Sequence, residues 1–110
     1  MAKGKPMTEM TDTIRVRVLV FKDDGLWVAQ CLEYDIGAQA ANLDTLHDRM
    51  MVVFKAELKE SVERHGKPFA GIDKAPERFH KMWGHRARSV EVSPSAWVIN
   101  AMNVNLGLVA

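Results

Sequence analysis

One run, Leu43 to His65, limits what this chain can fold into more than any other stretch. Leu43, Leu46, Met50, Phe54, Leu58 and Val62 recur at steps of three and four, the spacing of a single helical stripe. Asp48, Lys55, Lys59, Glu63 and Arg64 mark the opposite side, which belongs in water. Asn42 is the predicted N-cap, its side-chain oxygen placed to accept from free amides of the first turn. Asp44 and Asp48 then lie near the positive end of the helix dipole. His65-Gly66 lets the chain turn left-handed, and Pro68 bars continuation. Burying Leu46, Met50, Phe54 and Leu58 stabilises by roughly 1.5–3 kcal/mol each. An isolated helix gains none of this, so the remaining residues must supply the surface that the stripe covers.

What precedes the helix has the opposite periodicity. Ile14, Val16, Val18 and Val20 alternate with Arg15, Arg17, Leu19 and Phe21, a β-branched pattern of period two. Asp24-Gly25 supplies the positive φ of a tight hairpin, and Leu26 to Leu32 resumes as a second strand. Glu33-Tyr34-Asp35 breaks the pattern, and Ile36 to Ala40 forms a brief third strand leading to the Asn42 cap. The face bearing Ile14, Val16, Val18 and Val20 is the expected partner of Leu46, Met50 and Phe54. After a looser segment, Lys67 to Ala75, Pro76 opens a short second helix whose apolar face is Phe79, Met82 and Trp83, ended by Gly84. Val90-Glu91-Val92 is a possible scrap of strand, and Trp97 to Asn100 fits a strand start or a helical turn equally. Met102, Val104, Leu106 and Leu108 alternate with small and polar residues, the pattern of a strand with one buried and one wet face.

The expected architecture is therefore α+β: an antiparallel sheet of three to four strands packed against one long helix, in the order β-β-β-α-β, with a short second helix. Residues 1–12 read as a tail without periodicity and 13–110 as one domain, with the hairpin, strand and helix in 13–66 and the short helix and last strand in 67–110. With 110 residues the chain supports a single core. Net charge is +1, with acids and bases interspersed, which gives no bulk attraction to nucleic acid. Lys3 and Lys5 are followed by no apolar core, no run approaches the roughly 18 residues of a membrane span, and the single cysteine suits a reducing compartment. A cytoplasmic protein without membrane contact is expected.

Each candidate for chemistry has a structural reading beside it. His80 and His85 are five apart, off the i, i+4 spacing of a helical zinc pair, and His47 and His65 are about 27 Å apart at 1.5 Å per residue. Cys31 lies among apolar strand neighbours, where a thiol behaves as a small hydrophobe. Asp23 and Asp24 serve the turn, while Glu33 and Asp35 fall in the short connection after the second strand. No catalytic residue, cofactor or metal site is expected. Arg15 and Arg17 share a strand face and are candidate nucleic-acid contacts, although a solvated sheet face explains them with fewer assumptions.

Three segments carry a family likeness. Val16-Arg17-Val18-Leu19-Val20-Phe21, Asp24-Gly25-Leu26-Trp27-Val28-Ala29-Gln30-Cys31-Leu32 and Ala38-Gln39-Ala40-Ala41-Asn42-Leu43-Asp44-Thr45-Leu46 together resemble the HicB-like antitoxin family. In that family a hairpin leads to a Gln-Gly-x-Thr-Leu-x-Glu-Ala run that opens the helix. Here Gln39 to Leu46 falls on that run, with Asn42 in the place of the capping threonine, Ala40 for the glycine and Thr45 for an acidic residue. The likeness spans Ile14 to about Val62. It implies a partial RNase H-like fold without RNase activity, used to bind and block a small RNA-cleaving toxin. The helix-turn-helix or ribbon-helix-helix part that such proteins usually add has no counterpart after Gly66, so DNA binding is not expected.

The leading functional expectation is a non-enzymatic protein-binding module that forms a homodimer or higher oligomer, with a small HicA-like toxin as a further possible partner. Met102, Val104, Leu106 and Leu108 are the candidate interface, because a last strand left at a sheet edge is a template for another chain. An RNA-binding module using Arg15 and Arg17 and a degenerate nuclease-like enzyme are the alternatives.

Overall fold

The computed structural model describes residues 14–86, 88–90 and 102–109. The expected tail and the segment Trp97 to Asn100 lie outside them. Strands β1 (Ile14–Asp23), β2 (Leu26–Cys31) and β3 (Gly37–Ala40) lead into helix α1 (Leu43–His65), then helix α2 (Glu77–Gly84) and strands β4 (Arg88–Val90) and β5 (Met102–Leu108). The strands form one mixed sheet in the order β3-β2-β1-β5-β4. This is an α+β fold with the sheet packed against a long helix, as the periodicities require. No helix among the described residues is long and apolar enough to cross a membrane.

The local signals act where expected. Asp24 and Gly25 carry φ of 51° and 84° and close the β1–β2 hairpin, with Asp23 opposite Leu26 and Val18 opposite Cys31. The side chain of Asn42 accepts from the Thr45 N–H at 2.8 Å and starts α1. Gly66, at φ 77°, ends it by donating its N–H to Val62 O. Pro76 stands at the cap of α2, one place ahead of its first helical residue.

The sheet departs from the expected one in direction and width. β5 runs parallel to β1, with Val16 opposite Val104 and Val18 opposite Leu106. Alternation tells which face each side chain takes but not which way the strand runs; a parallel neighbour needs only a long crossover, and α1 and α2 lie on it. Nor is β5 at the edge: β4 pairs with its outer side, Val90 opposite Leu106 and Arg88 opposite Leu108. Among the described residues the edges of the sheet are β4 and β3.

Both faces of the sheet are covered, so Val18, Leu19 and Val20 are buried in succession. On one face Val16, Val18 and Val20 pack with Ala29, Cys31, Leu46, Met50 and Phe54, with Val104 and Leu106 partly buried beside them. On the other, Leu19 and Leu32 meet Ala75, Phe79 and Trp83, with Phe21 and Met82 alongside. The second face, expected to be solvated around Arg15 and Arg17, is thus roofed by α2. The loop between the helices passes from one face to the other. It is tied by Asp35 N–H to Asp73 O at 2.6 Å and by Ala75 N–H to Leu32 O at 3.0 Å.

The stripe of α1 is shorter than its spacing suggests. Leu46, Met50 and Phe54 are fully buried, but Leu43 and Val62 are exposed. Steps of four overshoot the helical turn, so Val62 lies about 80° round from Phe54, whereas Ser61 lies within about 20° of it. Ser61 is accordingly buried, and its Oγ accepts the N–H of Phe69 at 2.6 Å. Phe69 fills the end of the core against Phe54 and Tyr34, their ring centroids 6.2 and 4.8 Å away.

Candidate functional site

β3 is four residues long and bonds to β2 along one side, with Trp27 opposite Ala40 and Gln30 opposite Gly37. Among the described residues no strand pairs with its other side. Only Ala41 and Asn42 separate β3 from α1, so the helix starts beside the strand. The strand's own residues are small. Ala40 is buried against the helix, while Gly37 and Ala38, with little or no side chain, line a space beside it. The result is an open, mainly apolar groove of about 400 Å³ lined by Gly37, Ala38, Gln39, Asp48, Arg49, Val52 and Val53.

Val52, in the groove wall, does not belong to the core. It is 66% exposed, the most exposed large hydrophobic residue described, and it stands on the polar side of α1. Arg49 reaches across the groove mouth and donates from Nη1 to the carbonyl of Gln39 at 2.8 Å, which occupies one of the two lone pairs of that backbone acceptor. Asp48 lies next to it, its side chain 80% exposed and its Oδ1 3.2 Å from Nδ1 of His47. Gly37 has a reason of its own to lack a side chain: a Cβ there would lie 2.9 Å from Oε1 of Gln30 and 3.0 Å from the carbonyl of Ala29. The Gln30 amide is held in that place by donating to Cys31 O at 3.0 Å and to Asp35 Oδ1 at 3.0 Å.

The residues singled out from sequence fall elsewhere. Val104 and Leu106 are partly buried against the α1-facing core and Leu108 is 36% exposed, and the strand carrying Met102, Val104, Leu106 and Leu108, expected at a sheet edge, lies between β1 and β4. Arg15 is exposed. Arg17 is engaged: its Nε lies 2.6 Å from Oε2 of Glu33, and its guanidinium sits 5.7 Å from the ring centroid of Trp83. Arg86 stacks on the same ring at 4.4 Å. Both cations therefore lie against the Trp83 ring.

The acids do not converge. Asp23 and Asp24 are exposed at the hairpin turn, Glu33 is held by Arg17, and Asp35 by Gln30. Among the described residues no three histidine, cysteine or acidic side chains are grouped to hold a metal ion. Cys31 is fully buried, and desolvation pushes its thiol up to about 11. At neutral pH it is a protonated core residue rather than a nucleophile.

The groove was legible in one respect only. Val52 follows Asp48 by four and precedes Lys55 by three, which places an apolar residue inside a charged face. No family model, curated protein or solved structure matches the chain.

Proposed function

We propose that this chain is a non-enzymatic protein-binding module that associates with itself, built on a core of the HicB-like antitoxin type. The observation that carries this is the open side of β3, where a sheet edge unpaired among the described residues runs beside an apolar groove and the exposed Val52. A strand edge offers backbone donors and acceptors to another chain, and an adjoining apolar strip offers area to bury. The resemblance of Ile14 to Val62 to HicB-like antitoxins supports the same class, since those proteins act by binding protein; a small HicA-like toxin is the matching heterologous partner. Cys31, free and buried, fits a cytoplasmic location.

The alternatives have less beneath them. An RNA platform needs uncommitted cations beside open aromatic faces, and Arg17, Trp83 and Arg86 occupy one another. A metal-dependent nuclease needs converging carboxylates, and Glu33 and Asp35 are spent on separate partners. Light scattering on the full chain, from micromolar to millimolar concentration, tests the proposal. The expected result is a mass that rises from one chain to two; a mass of one chain throughout overturns self-association.

A further inference from the structure

We infer that the partner seated at β3 is β3 of a second copy, the two strands running antiparallel across a two-fold axis, with Asp48 of each copy facing Arg49 of the other. This rests on the reading of the chain as a self-associating module and names the surface and the pairing. Three features of the edge point to a second copy.

The first is charge. The groove mouth carries one acid and one base on successive residues, Asp48 and Arg49. A strongly acidic or strongly basic partner would meet one like charge for each opposite one. A two-fold axis instead sets residue i against j and j against i, so a patch with one charge of each sign complements itself. The chain's net charge of only +1 adds no general repulsion between copies.

The second is the backbone. Arg49 holds the Gln39 carbonyl by a single N–H at 2.8 Å, and a guanidinium has five donors in a planar fork. It can keep that carbonyl and still offer donors to a carboxylate arriving from the other copy.

The third is size. Four residues of strand extend only about 13 Å, which makes few inter-strand hydrogen bonds. Area must come from the groove wall, where Val52 is 66% exposed and Val53 lies beside it. Across a two-fold axis each Val52 covers the partner's groove. An edge this short places the contact in the small, reversible class of interfaces rather than the obligate one.

The experiment uses the full chain and three exposed positions whose change leaves the core intact, with helix content by circular dichroism confirming the fold. D48K makes the mouth wholly basic and R49E wholly acidic. Each alone is expected to raise the dimer dissociation constant at least tenfold in sedimentation equilibrium, as is V52E. An equimolar mixture of the D48K and R49E chains is expected to recover association within a few-fold of wild type, because opposite charges then face across the axis. A wild-type dimer that none of the three substitutions weakens overturns the β3 pairing while leaving self-association standing. A mixture no tighter than its components also overturns it. A wild-type chain that stays monomeric at millimolar concentration removes both readings together.

Discussion

Arg17 and Glu33 clamp each other across the end of the β1–β2 pair. Nε of Arg17 lies 2.6 Å from Oε2 of Glu33, and the other carboxylate oxygen accepts the backbone N–H of Arg17 at 2.7 Å. One acid therefore satisfies both the charge and the main chain of a single residue. A cation that could have met a phosphate and a carboxylate that could have met a metal are consumed together.

Replacing Glu33 by alanine removes both contacts at once. The side chains are 40% and 30% exposed, so the ion pair itself contributes only a few tenths of a kcal/mol, and the hydrogen bond to the main chain adds about 1 kcal/mol. E33A is expected to lower urea-unfolding stability by about 1–1.5 kcal/mol, with E33Q falling between it and wild type. The same clamp predicts no saturable single-stranded RNA binding by the wild-type chain at low salt. In fluorescence anisotropy, a log–log salt slope of about −1.4, the value for two phosphate contacts on a single strand, would restore the RNA reading.

Ser61 to alanine tests the anchor of the inter-helix loop. Ser61 Oγ accepts the buried N–H of Phe69, and it donates to Leu58 O at 3.0 Å. Phe69 is held at φ 59°, a left-handed conformation that is costly for an aromatic residue and persists only where its surroundings enforce it. Without the hydroxyl the amide is buried and unpaired, which costs about 1–3 kcal/mol. S61A is expected to lower the melting temperature by several degrees, on a scale of about 4–8 °C per kcal/mol for a domain of this size.

These residues show where sequence reading stops. Leu46, Met50 and Phe54 announced the core because a helix repeats its geometry, and Asn42 and Gly66 announced its ends because caps are local. Ser61 was hidden because drift along the helix exchanges it with Val62, and a serine among charges reads as solvated. Phe69 was hidden because its loop has no period, so nothing in the neighbouring residues says that a ring turns inward. Leu19 shares its strand face with Arg15 and Arg17, which reads as wet; what buries it is α2, brought there by the chain's path and not by any spacing. The β3 groove needs two elements at once, and its only trace in the sequence is Val52 among charges.

Gly107 to alanine tests the roof on the second face. A Cβ at Gly107 would lie 2.8 Å from Cδ of Arg86 and 2.8 Å from Cε3 of Trp83, and closer still to Cζ3 of that ring. The indole is 8% exposed and packed with Phe79 and Leu19, so it has little room to move. Overpacking of this kind costs about 1–3 kcal/mol. G107A is expected to lower the unfolding midpoint and to shift tryptophan emission to longer wavelength as the ring is pushed toward water. Unchanged emission with unchanged stability would mean that α2 does not rest on β5.

Cys31 gives the alkaline limit of the fold. Burial among Val18, Ala29 and Met50 pushes its thiol from 9.0 up to about 11, with the nearby charge of Glu33 acting in the same direction. Below pH 9 the thiol is protonated in both folded and unfolded chains and its contribution is constant. Between pH 9 and 11 the unfolded chain releases the proton while the folded chain retains it, so stability falls as pH rises. Above about 11 both forms are thiolate and the loss levels off. The shift corresponds to roughly 2–3 kcal/mol across that window. Other groups titrate there too, so the measurement is a difference: denaturant unfolding of wild type and Cys31→Ala at intervals from pH 8 to 11. The alanine chain starts less stable because a small cavity replaces the sulfur, and the gap is expected to narrow steadily with pH. A gap of constant size would show that the Cys31 proton is not held by the fold.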